Sequence, residues 1–162
     1  MESLEELEKK YKELGEEIER LKNKKNERGR VPKDSEYYYI NDCGEVSSSA
    51  EYYYSVDDFR YFTGNYFFTQ DGAKKHLDRI KTYYQLKNLA EELNTEEIDW
   101  KNSNQDKYSI YMDNSELKKL RQTNLRCSQR IGDIYCTNKN FLDIAKQKIG
   151  EENLINLFKE DI

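Results

Sequence analysis

The chain is poor in the residues that usually announce chemistry: its 162 positions include one proline, one histidine, one tryptophan and three cysteines. Cys43, Cys127 and Cys136 are odd in number and never form a C-x-x-C pair, which excludes a zinc knuckle or a dithiol redox motif. No apolar run approaches 18 residues and no secretory leader is recognisable, so a cytoplasmic protein with free thiols is expected. A phosphate-cradling glycine loop is also missing. Gly64 and Gly132 stand alone, and a lone glycine before a strand satisfies a turn. His76 lies among Lys74, Lys75 and Arg79 without a nucleophile or orienting acid at a telling spacing. Asp57-Asp58 lacks the further ligands of a calcium loop. The expectation is therefore no catalytic residue, no cofactor, no metal and no enzymatic activity.

Charge and tyrosine fill the space instead. Charged residues make up 36% of the chain, the net charge is -5, and there are 14 Tyr and 6 Phe. Tyrosine buries a ring while its hydroxyl still seeks a partner, which predicts a shallow core that oligomerisation helps complete. The negative net charge argues against general nucleic-acid affinity, which rests on a basic surface.

Leu4, Leu7, Tyr11, Leu14, Ile18 and Leu21 alternate at spacings of three and four, the a and d positions of three heptads. The intervening positions are nearly all Glu, Lys or Arg, so residues 1–24 are expected to form a helix that pairs with its own copy, most simply as a parallel dimer. A trimer stays open. Gly15 weakens the helix slightly. Residues 25–35, with Gly29 and Pro32, read as a linker.

The remainder suggests an α+β fold written twice. Gly64-Asn65-Tyr66-Phe67-Phe68-Thr69 matches Gly132-Asp133-Ile134-Tyr135-Cys136-Thr137 as G-[N/D]-x-[F/Y]-x-T, and an apolar helical pattern follows each copy. This predicts a first ββα-type repeat over 36–94, an acidic connector over 95–106 holding Trp100, and a second repeat over 107–160. Strands are expected at Tyr37–Ile40, which turns through Asn41–Gly44 into Glu45-Val46, and at Tyr52–Tyr54, Asn65–Phe68, Tyr108–Met112, within Leu117–Cys127 and at Ile134–Cys136. Asp57–Arg60 reads as a short turn. Thr69 and Thr137 are expected to cap helices running to about Leu93 and Phe158.

Strand alternation would put Tyr37 and Tyr39 on one face and Tyr38 on the other, and split Tyr52–Tyr54 likewise, leaving Tyr38 and Tyr53, or else their flanking neighbours, as an exposed aromatic patch for a protein partner or for stacking bases. Lys118, Lys119, Arg121, Arg126 and Arg130 add five positive charges without an acid over 117–130, whereas 91–106 carries six acids against Lys101.

From Tyr37 to Leu93 the pattern Y-Y-x-I-N-x-x-G-x-V, then D-x-x-R-Y-x-x-G-N-x-F-x-T-x-x-x-A, resembles small accessory proteins of phages and prophages of Gram-positive (Firmicutes) bacteria. About three quarters of the chain takes part, excluding the heptads. The resemblance implies an anti-defence role in the bacterial cytoplasm, such as anti-CRISPR inhibition of an immune effector protein or ribonucleoprotein. It transfers no catalytic residue. A nucleic-acid-binding module using the basic segment, and a sponge for a nucleotide immune signal, are the alternatives. No membrane association is expected.

Overall fold

A computed structural model describes residues 10–15, 29–113, 119–130 and 132–159. Leu4, Leu7, Ile18, Leu21 and Lys118 lie outside these residues. Over residues 10–15 the chain is helical (α1), with Tyr11 and Leu14 exposed. The fold is mixed α+β. Among the described residues it comprises β1 (Glu36–Ile40), β2 (Val46–Ala50), α2 (Ser55–Phe62), α3 (Gln70–Leu93), β3 (Tyr108–Asp113), β4 (Lys119–Asn124), α4 (Phe141–Ile149) and α5 (Glu151–Phe158). The strands form two separate antiparallel pairs, β1 with β2 and β3 with β4. Contacts divide the chain into two units, Met1–Leu77 and Asp78–Ile162.

In the first unit the β1–β2 hairpin is set by its turn. Asn41 Oδ1 accepts the amides of Cys43 and Glu45, both at 3.0 Å, and Gly44 takes the positive φ of 72° that the reversal requires. Each tyrosine of β1 then faces a serine, with Tyr37 opposite Ser49, Tyr38 opposite Ser48 and Tyr39 opposite Ser47. Phe67 adds a single bridge on the other side of Tyr38, exchanging two backbone bonds of 2.8 Å. The Asn65 amide extends this pairing by bonding both the N–H and the C=O of Ile40.

The small core is itself tyrosine. Tyr37 and Tyr66 stack with centroids 4.1 Å apart, Tyr61 meets Tyr66 edge-on at 5.6 Å, and Val31 is buried beside them. Val31 and Arg30 come from the stretch expected to be a linker, and both belong to this unit's interior contacts.

Two expectations fail here for a common reason. Tyr52–Tyr54 is not a strand, and Asp57–Arg60 is not a turn but the body of α2. β2 ends at Ala50 because the amides of Tyr52 and Tyr54 go to the Asp57 carboxylate instead of a strand partner. Asp57 thereby closes the start of α2. The helix stops where Gly64, at φ 76°, returns its N–H to Tyr61.

The expected helix after Thr69 forms as α3, and Thr69 Oγ1 accepts the Gly72 N–H at 3.0 Å. In the second unit Leu86, Leu89 and Ala90 of α3 pack with Ile110, Leu120, Cys136, Phe141, Ala145 and Leu154. Each large aliphatic side chain buried this way stabilises the unit by about 1.5–3 kcal/mol. The strands expected at Asn65–Phe68 and Ile134–Cys136 shrink to single bridges, Tyr38 with Phe67 and Tyr108 with Cys136.

The two bridges fall one position apart in the shared motif. Thr137 caps nothing: its N–H and hydroxyl turn to Asn94 Oδ1, and the next helix begins only at Phe141. The single terminal helix is also two helices, α4 and α5, broken at Gly150 with φ 98°. No helix among the described residues is long and apolar enough to cross a membrane.

Candidate functional site

The unusual chemistry of the first unit is a pair of buried carboxylates held under an aromatic surface. Glu51 is fully buried, and the Arg30 guanidinium meets it through two bonds, Nε to Oε2 at 3.0 Å and Nη2 to Oε1 at 2.9 Å. Tyr66 donates its hydroxyl to Glu51 at 2.8 Å, and the Tyr53 amide donates at 2.6 Å. Arg30 Nη1 also pairs with Asp58. Asp57, equally enclosed, accepts the Tyr37 hydroxyl at 2.6 Å and the amides of Tyr52 (3.2 Å) and Tyr54 (3.1 Å). Arg60 completes the set by donating to the Tyr37 hydroxyl at 2.7 Å while lying 3.5 Å over the Tyr39 ring.

These contacts set the electrostatics. Burial raises the Asp57 carboxyl, but the Tyr37 hydroxyl, the two amides and the charge of Arg60 outweigh it and hold Asp57 below the ordinary carboxylate range. Burial and the Glu51 carboxylate push the Tyr66 hydroxyl well above the usual tyrosine value. Every described buried side-chain nitrogen or oxygen has a partner. The network immobilises three consecutive amides.

Those amides belong to Tyr52, Tyr53 and Tyr54. Tyr53 takes φ 58°, a left-handed conformation that a non-glycine residue adopts at a cost. The three rings point outward, with Tyr54 64% exposed. The following helix inverts the usual arrangement. Its buried residue is Asp57, while Val56, Phe59 (69% exposed) and Phe62 (80% exposed) face solvent. The outward apolar side chains thus run from Tyr52 to Phe62 along a backbone held in place from beneath.

Of the residues expected at a partner surface, Tyr53 lies on this face. Tyr38 does not: it is half-buried in β1, its hydroxyl donating to Glu36 at 2.8 Å. The two do not share a sheet face, because Tyr53 is in a loop. Sequence reasoning missed Val56, Phe59 and Phe62, although their spacing of three residues on a helix would have marked them had α2 been foreseen.

In the second unit Lys119, Arg121, Arg126 and Arg130 are all exposed on β4 and the segment after it. Arg121 pairs with Asp113 at 2.5 Å and Arg126 with Asp106 at 3.1 Å, so the basic segment is partly neutralised by its own unit. Lys107 is fully buried nearby. Its ammonium donates to the carbonyls of Asn102 (3.0 Å), Gln105 (2.9 Å) and Arg126 (3.1 Å) and lies 5.4 Å from the Trp100 ring centre.

A cavity of about 300 Å³ opens among Tyr83, Leu86, Ile110, Ile134, Phe158 and Asp133. None of its lining residues is cationic, so it is unsuited to the phosphates of a nucleotide. His76 lies exposed with its ring 5.1 Å from Phe67. Among the described residues no cluster of His, Cys, Asp and Glu could hold a metal ion. No known protein family, curated protein or solved structure matches the chain.

Proposed function

We propose that this protein works by binding, without catalysis, and that its contact surface is the aromatic face from Tyr52 to Phe62. The observation that carries the reading is the inverted α2, whose carboxylate is inside and whose Phe59 and Phe62 are outside. Exposed apolar side chains gathered on one element mark interaction surfaces, and here buried acids keep the backbone under them in a single strained shape. Pre-organisation of this kind lowers the ordering cost of association.

The target we assign is a bacterial immune effector, protein or ribonucleoprotein, met in the host cytoplasm and blocked stoichiometrically in the manner of an anti-CRISPR inhibitor. That assignment rests on the resemblance of Tyr37–Leu93 to phage accessory proteins. The repeat belongs to the same proposal. Each half has a two-stranded hairpin whose first strand is bridged from the G-[N/D]-x-[F/Y]-x-T segment, although the bridge shifts by one residue between halves. Self-association through 3–22 would present two faces at once and raise avidity. The exposed Tyr11 and Leu14 of α1 are consistent with that seam.

The test is phage infection of a bacterium with intact immune systems that expresses the chain. Wild type is expected to protect the phage in proportion to its own amount. A Phe59→Ser/Phe62→Ser variant, changed only at exposed positions, is expected to lose protection while keeping its circular dichroism spectrum. Protection by a small fraction of the target's concentration, or full protection by the double variant, overturns the proposal.

A further inference from the structure

Resting on the reading that the Tyr52–Phe62 face meets the partner, we infer that the partner segment seated there presents arginine side chains and belongs to a basic protein surface, not to a nucleic acid. The rings beneath and beside this face already show how they take a guanidinium group. Arg60 lies 3.5 Å over Tyr39, and Arg30 lies 5.0 Å from the Tyr53 ring centre and 5.5 Å from that of Tyr61. A guanidinium is planar and weakly hydrated, so it stacks on an aromatic face at a lower desolvation cost than an ammonium. Tyr52 and Tyr54, with centroids 5.6 Å apart and tilted by 32°, offer a further pair of exposed rings to an incoming cation.

Charge points the same way. From 29 to 77 the sequence carries eight carboxylates against five Lys and Arg. Two of those five, Arg30 and Arg60, are committed to Glu51, Asp58 and Tyr37. At the surface five exposed acids face three exposed lysines, and one of the three, Lys75, pairs with Asp71. Aromatic rings alone would suit either bases or arginines. Binding a phosphate backbone requires displacing counterions with cations, which this unit does not supply in excess. An arginine-bearing surface gains from both the rings and the carboxylates.

The experiment is a fluorescence-anisotropy titration of the full chain with three labelled probes: hexa-arginine, hexa-lysine of equal charge, and a single-stranded twelve-residue oligothymidylate. Hexa-arginine is expected to bind about five-fold or more tighter than hexa-lysine, a preference of cation–π size that Phe59→Ser/Phe62→Ser reduces and that adding Tyr52→Ser/Tyr54→Ser abolishes. The oligothymidylate is expected not to bind. Equal affinity for the two peptides overturns the arginine inference, and if the double variant still loses phage protection, the binding face itself survives. Oligothymidylate binding that the double variant abolishes overturns the inference in favour of a nucleic acid. Peptide binding and phage protection both unchanged in the double variant remove the face and the inference together.

Discussion

Replacing Arg30 with methionine strips Glu51 of its counter-charge while leaving the carboxylate sealed beneath the Tyr52–Tyr54 turn. Glu51 has no exposed surface and Arg30 is only 19% exposed, so the pair behaves as a largely buried one. Removing one partner of such a pair costs about 3–5 kcal/mol, and the lower end applies here because water reaches the arginine side. Units of this size are stabilised by about 5 kcal/mol in total, so the change should leave the first unit folded in water by only about 2 kcal/mol. With a urea dependence of about 1 kcal/mol per molar, the midpoint should fall by about 3 M.

Near-UV circular dichroism, dominated in this unit by its tyrosines, follows the transition. Amide exchange at Tyr52, Tyr53 and Tyr54 reports the same loss locally. The double change Arg30→Met/Glu51→Leu should recover much of the stability, because it removes the stranded charge as well. A midpoint within 0.5 M of wild type for Arg30→Met, or a double variant no more stable than the single one, refutes the reasoning.

The Asp57 carboxyl is depressed in the folded state, so its contribution is present above the ordinary carboxylate pKa of about 3.9 and is lost as pH falls from there through the lower folded value. Asp57→Asn should therefore lower stability at neutral pH and flatten its decline in acid; an unchanged acid slope in urea melts counts against this. A thiol-alkylating reagent should modify the exposed Cys43 and Cys127 readily but spare Cys136, which is buried and whose thiol is pushed up by that burial, until denaturant is added. Mass spectrometry showing three additions to the native protein would contradict the packing. Leu14→Glu should halve the mass seen by light scattering at micromolar concentration without changing the urea midpoint, and a wild-type mass of one chain rules out the heptad seam.

What the sequence made legible was local. Thr69 followed by the Leu86, Leu89, Ala90 and Leu93 spacing located α3, since cap and periodicity both act within one helix. Asn41–Gly44 located the first hairpin turn for the same reason. The Tyr52–Tyr54 triplet misled because strand propensity is only a prior, and the acceptors that claim its amides, Glu51 and Asp57, are side chains. The inverted α2 followed it into error. Thr137 looked equivalent to Thr69, but a distant partner, Asn94, takes its amide and hydroxyl, and no periodicity reveals that. Gly150 was a visible stop signal in a helical pattern that read as continuous. The basic residues after Leu117 were correctly seen as charged, but their cross-strand acids, Asp113 and Asp106, depend on register and on a returning loop.

Lys107 limits how the sequence can drift. In a chain with 36% charged residues, most lysines can exchange with arginine at little cost. Here three main-chain oxygens from Asn102, Gln105 and Arg126 converge on one point, matching the three donors of a tetrahedral ammonium. The planar fork of a guanidinium spreads its donors outward and cannot serve three acceptors gathered at one spot. Methionine would fill the volume but strand the Gln105 and Arg126 carbonyls, at about 1–3 kcal/mol for each group left unpaired, while the Asn102 carbonyl would keep only the Gln105 N–H at 3.3 Å. Position 107 is thus closed to both exchanges, the one that keeps charge and the one that keeps volume, and substitutions can accumulate around it only while lysine stays.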